Sequence, residues 1–249
     1  MPSTAKLALD IETVDGAIPD GESFDAADST HVELFCVCVG FQSEPGAAVD
    51  HEVFFRRGWG PAAELDVLER TIDWLETRPS KTLLTYNGDA FDLPHLRGRA
   101  RIAAESLGDR ADLVHRVERV VDGFDSVDLF PDARDAYEAV HGEWPSFEDA
   151  CRACDVGVTR TELEVFDVHG VVDFPAHRPT ADAMKPHFIG SDVPVVGEIY
   201  LDLLEAGATE TKTFRELRAM LEHYSITDVV PLFELADRRP FEDAITAAP

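Results

Sequence analysis

With 249 residues, 45% of them hydrophobic, the chain can bury a sizeable core, and one α/β domain over residues 1–249 is expected. No window approaches roughly 18 consecutive apolar residues and the opening MPSTAKLALD has no apolar secretory run, so neither a membrane span nor a signal peptide is expected and a cytoplasmic location is. The formal charge of -27, from 49 acids against 22 bases, is spread through periodic segments rather than gathered in a tail, which suits a protein of a halophile's cytosol. In roughly molar salt the Debye length falls to about 3 Å, so self-repulsion is screened. Counterion release is weakened too, which moves any affinity for nucleic acid onto metals, stacking and short hydrogen bonds rather than excluding it.

The chain opens with an apolar run, Leu7 to Thr13, that delivers two carboxylates, Asp10 and Glu12, one residue apart. Strand alternation puts both on one face, at the end of a short buried strand. Two acids that close repel unless a cation or a shared proton offsets them. A polar, Gly- and Asp-rich connection reaches about Ser29, followed by strand-like runs at Val32 to Phe41 and Val49 to Arg56, an antiparallel meander. Pro61 opens a helix through Thr77 on the spacing of Leu65, Leu68, Ile72 and Leu75. Lys81 to Tyr86 reads as a fourth strand, Asn87-Gly88-Asp89 as its turn, and Phe91 to about Ser106 as a helix.

A fifth strand is expected within Val120 to Phe130, ending at Asp128, then helices at Asp132 to His141 and Phe147 to Cys154. Poor periodicity and three prolines from Gly157 to Val193 predict an irregular insertion or small hairpin outside the core. Val196 to Leu204 is helical, and Thr213 to Ala236 is a long amphipathic helix with Leu217, Leu221, Tyr224, Asp228 and Leu232 near one face. This order predicts a mixed five-stranded sheet, a meander plus parallel strands, with helices on both faces. The four cysteines fall as Cys36 with Cys38 and Cys151 with Cys154; only the second pair has zinc-knuckle spacing, and buried structural thiols are expected over metal or redox use.

Asp10, Glu12, Asp92 and Asp228 supply carboxylates from three separate elements, the ligand set that a pair of hard divalent cations asks for. Taken singly each has a plainer reading: Asp92 as a helix cap, Asp125 and Asp128 as turn and strand-end residues. Together, Asp10-x-Glu12, then Asn87-x-x-x-Phe91-Asp92-x-Pro94, then Tyr224-x-x-x-Asp228 resemble, in order and context, the three motifs of the DEDDy 3′-5′ exonucleases. The likeness is to the proofreading domain of family B DNA polymerases and to stand-alone ribonuclease H-like nucleases, and Asp125 to Phe130 looks like the strand that follows their second motif.

The resemblance implies a ribonuclease H-like fold and hydrolysis at the 3′ end of single-stranded DNA or RNA with two Mg²⁺ or Mn²⁺ ions. Asp10 would bridge the ions, Glu12 and Asp228 would complete one site, and Asp92 would serve the other. Tyr224 would orient the attacking water, being a poor base with an ordinary pKa near 10. Asn87, Phe91 and Thr13 are expected against substrate; Asn87 equally suits tying the turn, and Phe91 simple packing. His223 stands five residues before Asp228, the spacing of the sister DEDDh group, and on a helix only one of His223 and Tyr224 can face the metals; Tyr224 is favoured. Arg97, Arg99 and Arg101 are read as a solvated face over a phosphate contact. The alternative function is a non-catalytic nucleic-acid-binding or polymerase-accessory module on the same fold.

Overall fold

The computed structural model describes residues 4–18, 21–168 and 170–246; the part of the N-terminal reading that falls on residues 1–3 lies outside them. Five strands, β1 (Lys6–Asp15), β2 (Val32–Gln42), β3 (Asp50–Phe55), β4 (Thr82–Thr85) and β5 (Asp125–Asp128), form one sheet in the order β3-β2-β1-β4-β5. β1 is the pivot. It pairs antiparallel with β2 and parallel with β4, and the meander and the parallel half meet on it. This is the mixed five-stranded α/β sheet, a meander plus parallel strands, that the sequence predicts.

Alternation along β1 sorts its side chains into two cores. Leu7, Leu9 and Ile11 pack against α1 (Pro61–Glu76), α2 (Asp92–Leu107) and α3 (Ala111–Asp122). Ala8 and Val14 face the other way, into a cluster with α4 (Phe130–His141), α5 (Phe147–Ala153) and, beyond the Gly157 to Val193 stretch, α7 (Val193–Glu205) and α8 (Lys212–Asp237). A bulge at Phe35 breaks the β1–β2 register between Glu12 and Thr13, so that Phe35 and Cys36 both enter this second core. α7 lies close over the bulge: a Cβ on Gly197 would stand 2.7 Å from Val14 Cγ1.

Three differences from the sequence reading have physical causes. β1 runs on to Asp15, so Asp10 and Glu12 stand in mid-strand; what ends beside them is β4, whose last pairing with β1 is Ala8 with Leu84. α3, together with a short α9 (Phe241–Thr246), was not expected because each buries few residues: Leu113, Val117 and Val121, four apart, are the apolar stripe of an otherwise polar α3.

The Gly157 to Val193 stretch is irregular but not outside the core. Among its described residues it holds two 3₁₀ turns, Leu163–Val165 and Gly190–Asp192, the short α6 (Phe174–His177) and an isolated bridge between Glu162 and His187. Yet Val168, Val172, Phe174 and Phe188 are buried in the cluster of α7 and α8. A buried ion pair closes the stretch on itself: Arg178 Nε and Nη2 donate to the two oxygens of Asp192 at 2.7 and 2.6 Å, and Arg178 also donates to the carbonyls of Lys185 and His187. Prolines erase periodicity without removing apolar anchors, so periodicity alone misjudged the segment.

Candidate active site

Asp10 and Glu12 point from β1 toward α8, and Asp228 of α8 meets them. One carboxylate oxygen from each of the three lies within 4.8 Å of the other two. Asp92, the first residue of α2, is buried, and its Oδ1 accepts a hydrogen bond from the Ile11 amide at 2.9 Å. That amide lies just past the last β1–β4 pairing, so Asp92 continues the hydrogen bonding that β4 has stopped supplying. Asp92 is outside the close group of three but near enough that its charge acts on Asp10 and Glu12.

Burial raises the pKa of every member of this cluster, and repulsion adds to it, from the other members at Asp10 and Glu12, from Asp128 at Asp92 and from Glu148 at Asp228. Asp10 is pushed well above the usual carboxylate range by burial, then by Asp92, Glu12 and Asp228; Glu12 likewise, by burial, then by Asp228 and Asp92. Burial lifts Asp92 to about 7 against the Ile11 hydrogen bond, and Asp228 to about 7 against a hydrogen bond from Tyr224. Among the described residues no Lys, Arg or His forms an ion pair with any of the four. Four acids, Asp92 buried and the other three half-buried, are a donor set of hard oxygens suited to Mg²⁺ or Mn²⁺.

The third motif resolves cleanly in space. Tyr224 is directed to the carboxylates, its hydroxyl bonded to Asp228 and its ring set edge-on to Phe188 at 5.0 Å. His223 turns away: its Nδ1 is 2.7 Å from Thr161 Oγ1 and its ring meets Phe166. Burial and the surrounding acids hold Tyr224 well above the ordinary phenol range, so it keeps its proton at neutral pH and is a donor there.

A cleft of about 400 Å³ opens over the cluster, with Asp10, Tyr224 and Asp228 in its lining. One wall is Tyr86 with Ser146 to Asp149 from the start of α5; the other is Lys185 to Gly190, so the segment read as an insertion forms half of the cleft. Arg160 joins the two by donating from Nε and Nη2 to Glu148 Oε2 at 3.0 and 2.7 Å. Sequence reading missed both walls; the signal within reach was Phe147 and Glu148 at the opening of a helix expected to follow the second motif.

The expected substrate contacts stand elsewhere. Thr13, Asn87 and Phe91 are not in the cleft lining. Thr13 sits half-buried beside the Phe35 bulge. Asn87 takes a left-handed φ of 66° and donates its amide to Asp128 Oδ1 at 2.7 Å, while Asp128 Oδ2 accepts from Asp89. Asp128 thus ties β5 to the turn that sets Asp92, as a strand-end residue. Gly88 is needed there, since a Cβ would stand 2.4 Å from Thr85 Cβ. Phe91 packs its ring against His95 with centroids 4.4 Å apart.

The arginine run is not one solvated face. Arg97 pairs with Asp122 and Arg101 with Glu118, but Arg99 is buried, bonded to Glu64 through Nε and Nη2 at 2.7 and 2.8 Å. The cysteines are free and buried, as expected, and burial pushes each thiol up. Their placement was not foreseen: Cys38 and Cys36 pair across β1–β2 with Asp10 and Glu12, and Cys36 Sγ lies 3.6 Å from Ser225 Oγ of α8. Two buried thiols therefore lie beside the acidic cluster on the sheet.

No protein-family model and no curated protein matches the chain. Among solved structures, the family B DNA polymerase from the hyperthermophilic archaeon Pyrobaculum calidifontis is similar to it at 18% identity and a TM-score of 0.49, over 99% of this chain and 28% of that one. The chain therefore spans little more than a quarter of the polymerase's length. No helix among the described residues is long and apolar enough to cross a membrane.

Proposed function

We propose that the chain is a metal-dependent 3′-5′ exonuclease, one domain over residues 1–249, that releases nucleotides from single-stranded DNA or RNA. The observation that carries this reading is the half-buried cluster of Asp10, Glu12 and Asp228, with no cationic partner among the described residues, at the base of a cleft open to solvent and faced by Tyr224.

Asp10, Glu12 and Asp228 would hold one divalent ion and Asp10 with Asp92 a second. When bound, such ions lower the pKa of water and stabilise the charge that develops on the attacking and leaving oxygens of a phosphodiester displacement. The chain's own residues do the rest. Tyr224, kept protonated, offers a hydroxyl beside Asp228 that can fix the orientation of the attacking water, which is positioning and not base catalysis. The Ile11 amide fixes the Asp92 carboxylate, and the buried Cys36 and Cys38 lie beside the acids on the sheet. The acidic surface, with a charge of -27, suits a cytoplasm of high salt.

The test is 5′-labelled single-stranded DNA and RNA with Mn²⁺ in molar KCl, run beside Asp10→Ala. A ladder of shortening products that needs Asp10 is expected, with the preferred nucleic acid read from the relative rates. Equal degradation by both proteins, or none by either, would remove the exonuclease reading in favour of a binding module. Cleavage of a circular single strand would point to an endonuclease.

A further inference from the structure

The cleft wall formed by Tyr86 and Phe147 continues outward as a chain of rings. Tyr86 directly follows β4, Phe147 opens α5, and their ring centroids are 5.1 Å apart. Tyr86 also meets Phe130, the first residue of α4, at 5.4 Å, and Phe130 meets Trp144 at 6.2 Å. Trp144 stands in the loop between α4 and α5 and is 64% exposed, a large ring for a chain to leave in water. Arg134 holds its guanidinium 5.7 Å from the Trp144 ring centroid. The cleft lining also carries Arg152, Arg160 and Lys185, in a protein where acids outnumber bases more than two to one; Arg160 is paired with Glu148 and Lys185 with Asp182.

Resting on the exonuclease reading, we infer that the single strand leaves the carboxylates along this aromatic wall. Its unpaired bases stack from Tyr86 and Phe147 out to Trp144, and its phosphates turn toward Arg160 and Lys185. Every base has a π face, so such a wall grips without regard to sequence. It also works in concentrated salt: screening weakens phosphate contacts, whereas stacking is not an ion pair and survives. The commitment is to unpaired nucleotides, because bases held in a duplex have no free faces to offer.

The experiment measures binding of a short oligothymidylate in molar KCl with EDTA, from tryptophan emission and by anisotropy of a labelled strand, for the wild type, Trp144→Ala and Trp144→Phe. Trp144 is exposed, so neither change threatens the fold. Stacking of one base predicts that Trp144→Ala weakens binding by about five- to thirty-fold and that Trp144→Phe restores most of it. An abasic strand of equal length is expected to bind weakly and alike to all three. Hydrolysis of the same oligomer by the wild type with Mn²⁺ is followed in parallel. Hydrolysis with binding unchanged in Trp144→Ala overturns the wall and leaves the exonuclease. Trp144-dependent binding without hydrolysis keeps the wall and removes the exonuclease. Self-association that Trp144→Ala abolishes, with oligomer binding unchanged, would make Trp144 a contact between copies and overturn the proposal.

Discussion

Two groups of inward-facing acids in this molecule, one fully buried and one largely half-buried, are built in opposite ways. Glu64 on α1 is fully buried, but Arg99 of α2 meets it through two hydrogen bonds, its Oε1 accepts the Leu34 amide of β2 at 2.7 Å, and Arg99 also donates to the Ser29 carbonyl. Asp192 is treated likewise by Arg178, His177 and the Ile189 amide. In both places the fold supplies the cation and the charge stays inside the structure. Among the described residues, Asp10, Glu12, Asp92 and Asp228 receive hydrogen bonds from an amide and a phenol and no cation. An acid that the fold leaves unbalanced in a cleft must be balanced by a proton or by something that enters.

The comparison breaks most visibly on activity. Asp10→Ala is expected to lower 3′-end hydrolysis by at least about 10³-fold, the scale for losing a group that stabilises developing charge in a dry site. A rate within ten-fold of the wild type in the labelled-strand assay would show that the unbalanced acids are not where the reaction occurs.

Stability separates the two groups with opposite signs. Glu64→Gln leaves Arg99 buried without its counter-charge and is expected to cost about 3–5 kcal/mol in denaturant unfolding. Asp10→Asn removes a repelling charge instead, so the metal-free protein should unfold at equal or higher denaturant, while its stabilisation by Mn²⁺ is lost. Equal destabilisation by both substitutions would mean that the two groups are alike after all.

How much of this contrast was legible in the sequence depends on which link carried it. The fold was readable because β2 is a nearly continuous apolar run and β1 carries Leu7, Leu9 and Ile11 on the face opposite Asp10 and Glu12. The four carboxylates were readable because local motifs mark them. What could not be read was pairing at a distance. Arg99 looked like part of a surface run, since nothing in its neighbourhood shows Glu64, 35 positions earlier, inside the same interface. The cleft walls were invisible for the same reason: Lys185 to Gly190 is held by Arg178 and Asp192, an interaction that leaves no periodic trace.

The third motif sharpens the comparison at a smaller scale. Tyr224→Phe removes the hydroxyl beside Asp228 but keeps the ring against Phe188, and kcat is expected to fall about 10- to 100-fold, as for groups that orient a metal site from outside it. His223→Ala loses a bond to Thr161, whose carbonyl accepts the amide of Phe188 in the cleft wall, and is expected to change kcat by only a few-fold, with any larger effect on KM. The reverse order would assign the water-positioning role to His223.

The smallest effect concerns protons. With Asp92 and Asp228 raised to about 7 by burial, from an ordinary value near 4 in the unfolded chain, the native state holds more protons than the unfolded state between those limits. Their stabilising contribution is therefore fully present below about pH 4 and is lost as pH rises through about 7. Other acids of this chain, paired or solvated, dominate below pH 5, so the window to read is pH 5.5 to 8 at constant high salt. There the metal-free protein should lose a few degrees in Tm, about 1 kcal/mol being worth roughly 2–4 °C in a chain of this length. Mn²⁺ competes with the same protons, so the stabilisation it confers should grow across that window. In Asp92→Asn with Asp228→Asn both trends should flatten, whereas Glu64→Gln should leave them in place; a metal-free Tm that instead climbs from pH 5.5 to 8 would show that the unbalanced acids are ionised throughout, and that something in the protein balances them.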